Sequence, residues 1–355
     1  MTVTVPIPVP VPVPVPVPGT DARRRRRLAT GLALATLALL LAGLAAGAEG
    51  WSPAALVRTW LGPGGTLIVG EIRAPRSVGA WLVGALLGLA GAIAQGLFRN
   101  PLADPYLLGS ASGASLGVVL TLAAGALGGE ALGAASAGAL AQIGLVGAAF
   151  VGALGGVLLT LALVRGAQQT TRLLLAGVIV GVVLGAVSDL VTSAAPEVLR
   201  GKQAFMLGST GFLGWRSCAV LAAGLVLTLP PGWRLARALD ALVLGTDSAR
   251  SLGLALPRIR LALVTALALA TGVAVSQAGL IAFVGLVAPH LVRRFAPSTH
   301  GFMLLASAAA GGVLLLLADV LARCLIAPRE VPVGVLTALL GGGYLVWLLN
   351  RKRSA

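Results

Sequence analysis

Long apolar runs separated by short polar breaks organise this chain. Requiring about 20 mostly apolar residues per run, the length that crosses a bilayer core, yields ten candidate spans. They are 28–48, 78–98, 104–125, 138–164, 173–194, 217–231, 260–276, 279–292, 302–321 and 333–349. Their interiors are continuously apolar, rich in Ala, Leu and Gly, and lack the period-2 alternation of barrel strands. The predicted fold class is all-α, a polytopic membrane bundle of about ten transmembrane helices. Two further stretches read as helices that do not cross. Trp51–Leu61 is amphipathic and follows a Ser52-Pro53 start signal, and Pro196–Leu207 is mixed in polarity and is placed at the outer surface.

The ends are different. Val3 to Pro18 alternate Val and Pro, which favours an extended polyproline-like tail over a strand because proline fixes φ and removes donors. Five arginines, Arg23–Arg27, follow. The first apolar run exceeds the roughly 7–15 residues of a signal-peptide core, so it reads as an uncleaved membrane helix. The expected division is a disordered tail and basic cytoplasmic segment over 1–27, a transmembrane domain over 28–350, and a basic cytoplasmic tail over 351–355.

Composition agrees. Hydrophobic residues make up 57% and charged residues 10%, far below the roughly 25% that soluble domains need to cover their surface. The net charge of +15 is therefore a question of orientation rather than of nucleic acid. With ten spans and both termini cytoplasmic, eighteen of the 26 cations fall on the inner side and eight on the outer. That is the expected sign of the bias. An odd number of spans would place Arg351–Arg353 outside. Small residues spaced four apart, Gly84/Gly88, Gly152/Gly156 and Gly177/Gly181/Gly185, suit close helix crossings in lipid.

Much chemistry is missing. Of the two lysines, Lys202 and Lys352, neither stands in a Gly-x-x-x-x-Gly-Lys frame, so any ATP coupling must come from another subunit. There is no Gly-x-Ser-x-Gly elbow with a partnered histidine and no His-Glu-x-x-His, and the chain is not expected to be an enzyme. His290 and His300 have no metal-ligand spacing, so neither a metal nor a cofactor is expected. Cys218 and Cys324 read as small packing residues. Asp189 and Asp319 lie within spans and would pair with a cation or face water. Two carboxylates that far apart do not make a proton relay.

Four polar stretches carry the remaining signal. Glu71-Ile-Arg-Ala-Pro-Arg76 precedes span two. Gln95-Gly-Leu-Phe-Arg-Asn-Pro-Leu-Ala-Asp-Pro-Tyr106 joins spans two and three. In the loop Leu235–Arg260, Thr246 or Asp247 would cap a short helix and Gly253 would close it. Phe283-Val-Gly-Leu-Val-Ala-Pro-His290 ends span eight. These stretches, with Leu173-Leu-Leu-Ala-Gly177, Ala318-Asp-Val-Leu-Ala-Arg323 and Val331-Pro-Val-Gly-Val-Leu-Thr337, resemble the permease family of ABC importers for iron–siderophores, haem and cobalamin. The resemblance runs from about residue 51 to 350. Gly341-Gly-Gly-Tyr344 departs from it, since relatives more often have a Gly-Ala-Pro-Phe type sequence there.

That resemblance implies a homodimer in a bacterial inner membrane, two ATP-binding subunits below it and a periplasmic or lipid-anchored substrate-binding protein above. It implies that Arg73, Arg76 and Arg323, with Arg58 as a weaker fourth, meet acidic residues of the binding protein. Thr246, Asp247, Ser248, Ala249, Arg250, Ser251, Leu252 and Gly253 would form the helix that couples to the ATPase. Asn100, Pro101 and Leu102, with Thr170 and Thr171, would form the cytoplasmic gate. A ferric siderophore is the first expected substrate, haem or cobalamin the alternative. A secondary transporter is the rival class.

Overall fold

The computed structural model describes residues 20–47, 50, 51, 57, 60–62, 65–127, 137–164 and 170–351. The Val-Pro tail and most of Trp51–Leu61, including Arg58, lie outside these residues. The fold is a helical bundle. Its main elements are α1 (Thr20–Ala45), α2 (Ala74–Phe98), α3 (Ser110–Leu127), α4 (Ala137–Leu163), α5 (Thr170–Ala194), α6 (Leu199–Leu207) and α7 (Trp215–Arg234). They continue with α8 (Ala236–Val243), α9 (Thr246–Ser251), α10 (Leu256–Ala278), α11 (Val284–Phe295), α12 (His300–Cys324) and α13 (Val333–Arg351).

Each of the ten predicted spans falls on one of these helices, yet not all ten are full crossings. Among the described residues, six helices are long and apolar enough to cross a membrane, and the pair α7–α8, bent by 48°, would be a seventh. The apolar parts of α3 and α13, Ser110–Ala126 and Val333–Leu348, are shorter. The clearest correction concerns span eight. Gly279–Phe283 is not helical, and α11 has only 12 residues, about 18 Å of helix. Non-helical backbone at membrane depth requires protein partners for its polar groups. Here Leu280 N donates to Phe205 O at 3.0 Å, and Tyr106 Oη donates to Ile281 O at 3.2 Å. Gly208 permits this approach, because a Cβ there would come within 2.4 Å of Leu280 O.

Two other boundaries moved. The helix of span one begins at Thr20 rather than at residue 28, so the five arginines form part of its first turns. The helix of span two begins before Glu71. Ile68–Arg73 form a π-helical turn that runs directly into α2, with Pro75 in its first turn, where a missing N–H costs nothing. The Glu71–Arg76 stretch is thus helical.

α2 is the centre of the bundle. In the membrane-length helix Ile68–Phe98, 89% of the apolar window is buried, against 11% for α1. Lipid is as apolar as leucine, so close packing must hold the bundle together. Glycine makes that packing possible. A Cβ on Gly84 would sit 2.2 Å from Gly311 O, and one on Gly88 would sit 2.1 Å from Ser307 O. The falling register, 84 with 311 and 88 with 307, makes α2 and α12 antiparallel. α3 and α4 cross the same way through Gly113 and Gly152. Leu86, Leu87, Leu89 and Ile93 fill the space around α2.

Candidate functional site

The antiparallel pair α2–α12 has two ends, separated by about 37 Å for a 25-residue helix. The motif residues gather at these ends.

At the end with the start of α2, the arginines form a clasp. Asp319, fully buried on α12, accepts from Arg76 Nε at 3.0 Å and from Thr210 Oγ1 at 2.6 Å, and it pairs with Arg323. Arg323 also donates to Gly43 O at 2.9 Å and to Ser77 Oγ at 3.2 Å. The two remaining guanidinium nitrogens of Arg76 bind both oxygens of Glu330 at 2.8 Å. Arg73 donates to Leu44 O at 2.9 Å. Two arginines from two other helices thus satisfy the last carbonyls of α1, where a cation also complements the helix dipole. Glu330 lies in the loop before α13. Hydrogen bonding from Arg76 holds its carboxyl below the usual carboxylate range, against the opposing effect of partial burial.

This geometry gives the arginines that the resemblance assigns to docking partners inside the bundle. Arg323 is 4% exposed and Arg76 11%, so neither stands as a free cation at the surface. Their charge is used inside the bundle, where a buried ion needs a partner. Arg73 is half-buried, and Arg58 lies outside the described residues. The pairing expected for Asp319 is present. Asp189 pairs with Lys202, from α5 to α6.

At the opposite end, the loop between α7 and α10 holds two short helices, α8 and α9, rather than one. Neither Thr246 nor Asp247 caps α9. The N-cap is Gly245, at φ 113°, and it makes no side-chain cap bond. Asp247 sits one position inside the helix and contacts Arg250 at 3.4 Å. The closing role of Gly253 does hold. At φ 77° its N–H reaches Arg250 O at 2.9 Å, and Leu254 N reaches Ala249 O at 3.3 Å, the two bonds of a Schellman motif. Ala249 is buried and anchors α9, while Asp247, Ser248, Arg250, Ser251 and Gly253 are exposed. Val243, Leu244 and Leu252 flank it, 60%, 72% and 65% exposed. A short polar helix framed by three exposed apolar side chains is shaped to fit against something else.

The turn after α2 lies at this same end. Arg99 closes α2 in the left-handed region at φ 50°. Asn100, Pro101 and Leu102 are exposed, and Asn100 Oδ1 accepts from Leu102 N at 2.9 Å. Thr170 and Thr171 begin α5, and the Thr171 side chain is exposed. The chain segment Pro105–Leu108 links the turn to α5: a Cβ on Gly177 would sit 2.0 Å from Leu107 O.

Sequence reasoning missed several partners. Glu330 lies 254 positions from Arg76, and Thr210 lies 109 from Asp319. No local pattern joins such residues. Asp319 and Arg323, four apart in an apolar helix, were readable as a pair. Asp240 on α8 was also missed. Its carboxylate accepts from the backbone N–H of His300, and it meets the His300 Nδ1 at 2.6 Å, so it caps α12 from another helix.

Residues 35–351 match the FecCD transport family. The vitamin B12 import system permease protein BtuC of Escherichia coli O9:H4 is 38% identical over 328 residues, which cover 91% of this chain and 94% of that protein. BtuC of Salmonella paratyphi A is 38% identical over 330 residues, 90% and 94% of the two chains. A solved metal-chelate type ABC transporter in an inward-facing conformation superposes with a TM-score of 0.80 at 25% identity, covering 92% of this chain and 99% of that one. With a match across nearly the whole membrane domain, and with the bundle and motifs in place, this chain belongs to the FecCD transport family, as a transporter membrane subunit and not an enzyme.

Proposed function

We propose that this chain is the membrane permease of an ABC importer for a bulky metal chelate. It works as a homodimer, with two ATP-hydrolysing subunits at the α9 end and a substrate-binding protein at the arginine end. Both termini lie in the cytoplasm, at the α9 end. The observation that carries the reading is the exposed α9 knob with Val243, Leu244 and Leu252, in a chain that has no phosphate-binding loop of its own. A permease that cannot hydrolyse ATP needs a surface on which a partner can push, and coupling then lies in the partner's unequal affinity for the two permease states.

At the other end, Arg73 and Arg76 are proposed to reach acidic residues of the binding protein. Arg323 acts from behind by holding α1, α2 and α12 together. Asn100–Leu102 with Thr170 and Thr171 are proposed as the cytoplasmic gate. Cobalamin is the first substrate to test, because the 38% identical relatives carry that name. A ferric siderophore, which the motifs put first, is the second.

The test is uptake into proteoliposomes that hold this chain with its ATPase, supplied with binding protein and either labelled cobalamin or a labelled ferric siderophore. ATP-dependent uptake of one of them is expected. Uptake driven by a proton gradient without ATP would overturn the reading in favour of secondary transport. In the same vesicles, R73E should raise the binding-protein concentration needed for uptake, most visibly at low salt.

A further inference from the structure

A cleft of about 430 Å³ opens at the α9 end of the bundle, where α2, α8, α11 and α12 meet. It falls within the roughly 300–1,000 Å³ of small-ligand sites. Gln95, Arg99, Asn100, Arg293, Ser298 and His300 line it. Its walls hold polar groups that nothing in the fold uses. Arg293 Nη2, Ser298 Oγ and Gln95 Oε1 are buried without a hydrogen-bond partner among the described residues. Among the described residues neither Arg99 nor Arg293 forms an ion pair, whereas Asp240 is taken by His300 and Asp247 by Arg250. Arg99 is held in the left-handed backbone region, an unusual place for a non-glycine residue. Gly96 leaves room for the His300 ring, since a Cβ there would come within 2.9 Å of Nε2.

Buried donors left unpaired are costly, so the native protein in its membrane must satisfy them. The open Arg293 and Ser298 donors, with the exposed Arg99 guanidinium at the rim of the same cleft, fit an oxyanion, and phosphate best, because guanidinium binds it with two parallel bonds. The location narrows the source. Met303, also in the cleft wall, belongs to an apolar cluster on which Leu28 and Leu32 of α1 pack. α1 is the outermost helix, with Leu34, Leu37 and Leu41 exposed. Its first turns carry Arg23–Arg27. The cleft thus shares Met303 with an apolar cluster that α1 covers, just after its run of five arginines. Basic pockets between membrane helices at this depth recognise phospholipid headgroups.

We propose that this cleft binds the phosphate of an anionic phospholipid headgroup through Arg99, Arg293 and Ser298.

The experiment is native mass spectrometry of the full chain in detergent, titrated with phosphatidylglycerol or with phosphatidylcholine. The wild type should retain one phosphatidylglycerol per chain with saturation and should prefer it to phosphatidylcholine. R99Q or R293Q should weaken retention about fivefold and R99Q/R293Q about thirty-fold. S298A, a small change, should weaken it less, and this keeps the test valid if the double variant is unstable. Neutralising Arg23–Arg27 should remove the unsaturable background and leave the saturable site. Unchanged phosphatidylglycerol retention in R99Q/R293Q and S298A would overturn the proposal. So would saturation by inorganic phosphate that phosphatidylglycerol does not displace, which would make free phosphate the occupant. Lost retention of the ATPase subunit with lipid binding intact would overturn it too, and would assign the cleft to a carboxylate of that partner.

Discussion

Replacing Asp319 tests the arginine clasp most directly. Asp319 is fully buried and is the one carboxylate that touches both Arg76 and Arg323. Truncation to alanine removes acceptors for Arg76 Nε, Thr210 Oγ1 and Arg323. Arg76 keeps Glu330, and Arg323 keeps Gly43 O and Ser77 Oγ, so the cations are not stripped of hydrogen bonds. What they lose is the buried counter-charge. Removing one partner of a buried pair costs about 3–5 kcal/mol, because the other charge stays behind uncompensated. At about 2 °C per kcal/mol for chains of more than 150 residues, the unfolding transition in detergent should fall by about 6–10 °C. The assay is thermal unfolding of the purified chain followed by fluorescence of its six tryptophans. Asp319→Asn keeps an acceptor for Thr210 and should lose less. In D319A/R323A the second substitution should cost little beyond the first, since it removes the stranded charge. An unchanged transition in Asp319→Ala, or strictly additive losses in the double variant, would refute the clasp as an energetic unit.

Other outcomes follow from the same geometry. Glu330 has a lowered folded-state pKa, so its contribution is complete above the ordinary carboxylate pKa and fades as pH falls through the lowered value. Glu330→Gln should flatten the acid limb of the stability–pH curve. Gly253→Ala meets no neighbour but must hold φ 77°. It should strain the Schellman turn by about 1–2 kcal/mol and lower uptake per ATP hydrolysed in proteoliposomes, while the chain still folds. Asp240→Ala should remove the cap of α12 at a cost of about 1 kcal/mol, read as faster hydrogen exchange at His300 and the next turn. Gly88→Leu should prevent α2 from reaching Ser307 O, and the protein should aggregate on extraction where Gly185→Leu, which faces open space, does not.

Much of the architecture was legible from one dimension. A lipid solvent requires continuous apolar helices of a given length, so span positions survive even when their limits shift by a turn or two. Close crossings were readable as glycine spacing because the requirement is local to each helix face. Gly84/Gly88 and Gly152/Gly156 do make crossings, whereas nothing approaches Gly185. The closing glycine of α9 was readable for the same reason, a backbone conformation that side chains resist. The cap at its start was not. Hydrogen-bonding side chains at 246 and 247 suggested one, and the chain placed Gly245 at the cap instead.

The apolar pattern was enough for a membrane helical bundle, and the lack of a phosphate-binding loop for the expectation of an ATPase partner, since both follow from residue types and their order. Which side chains share a charge depended on the packing of distant helices. Arg76 on α2, Asp319 on α12, Thr210 before α7 and Glu330 before α13 come from different parts of the chain, and only the packed bundle brings them within hydrogen-bond distance. The same packing converts two arginines that look like surface cations into buried ones. It also leaves two others around a cleft, Arg99 and Arg293, without an ion pair among the described residues. Charge in a low-dielectric bundle is set by what lies nearby in space, and spatial neighbours hundreds of residues apart leave no local trace.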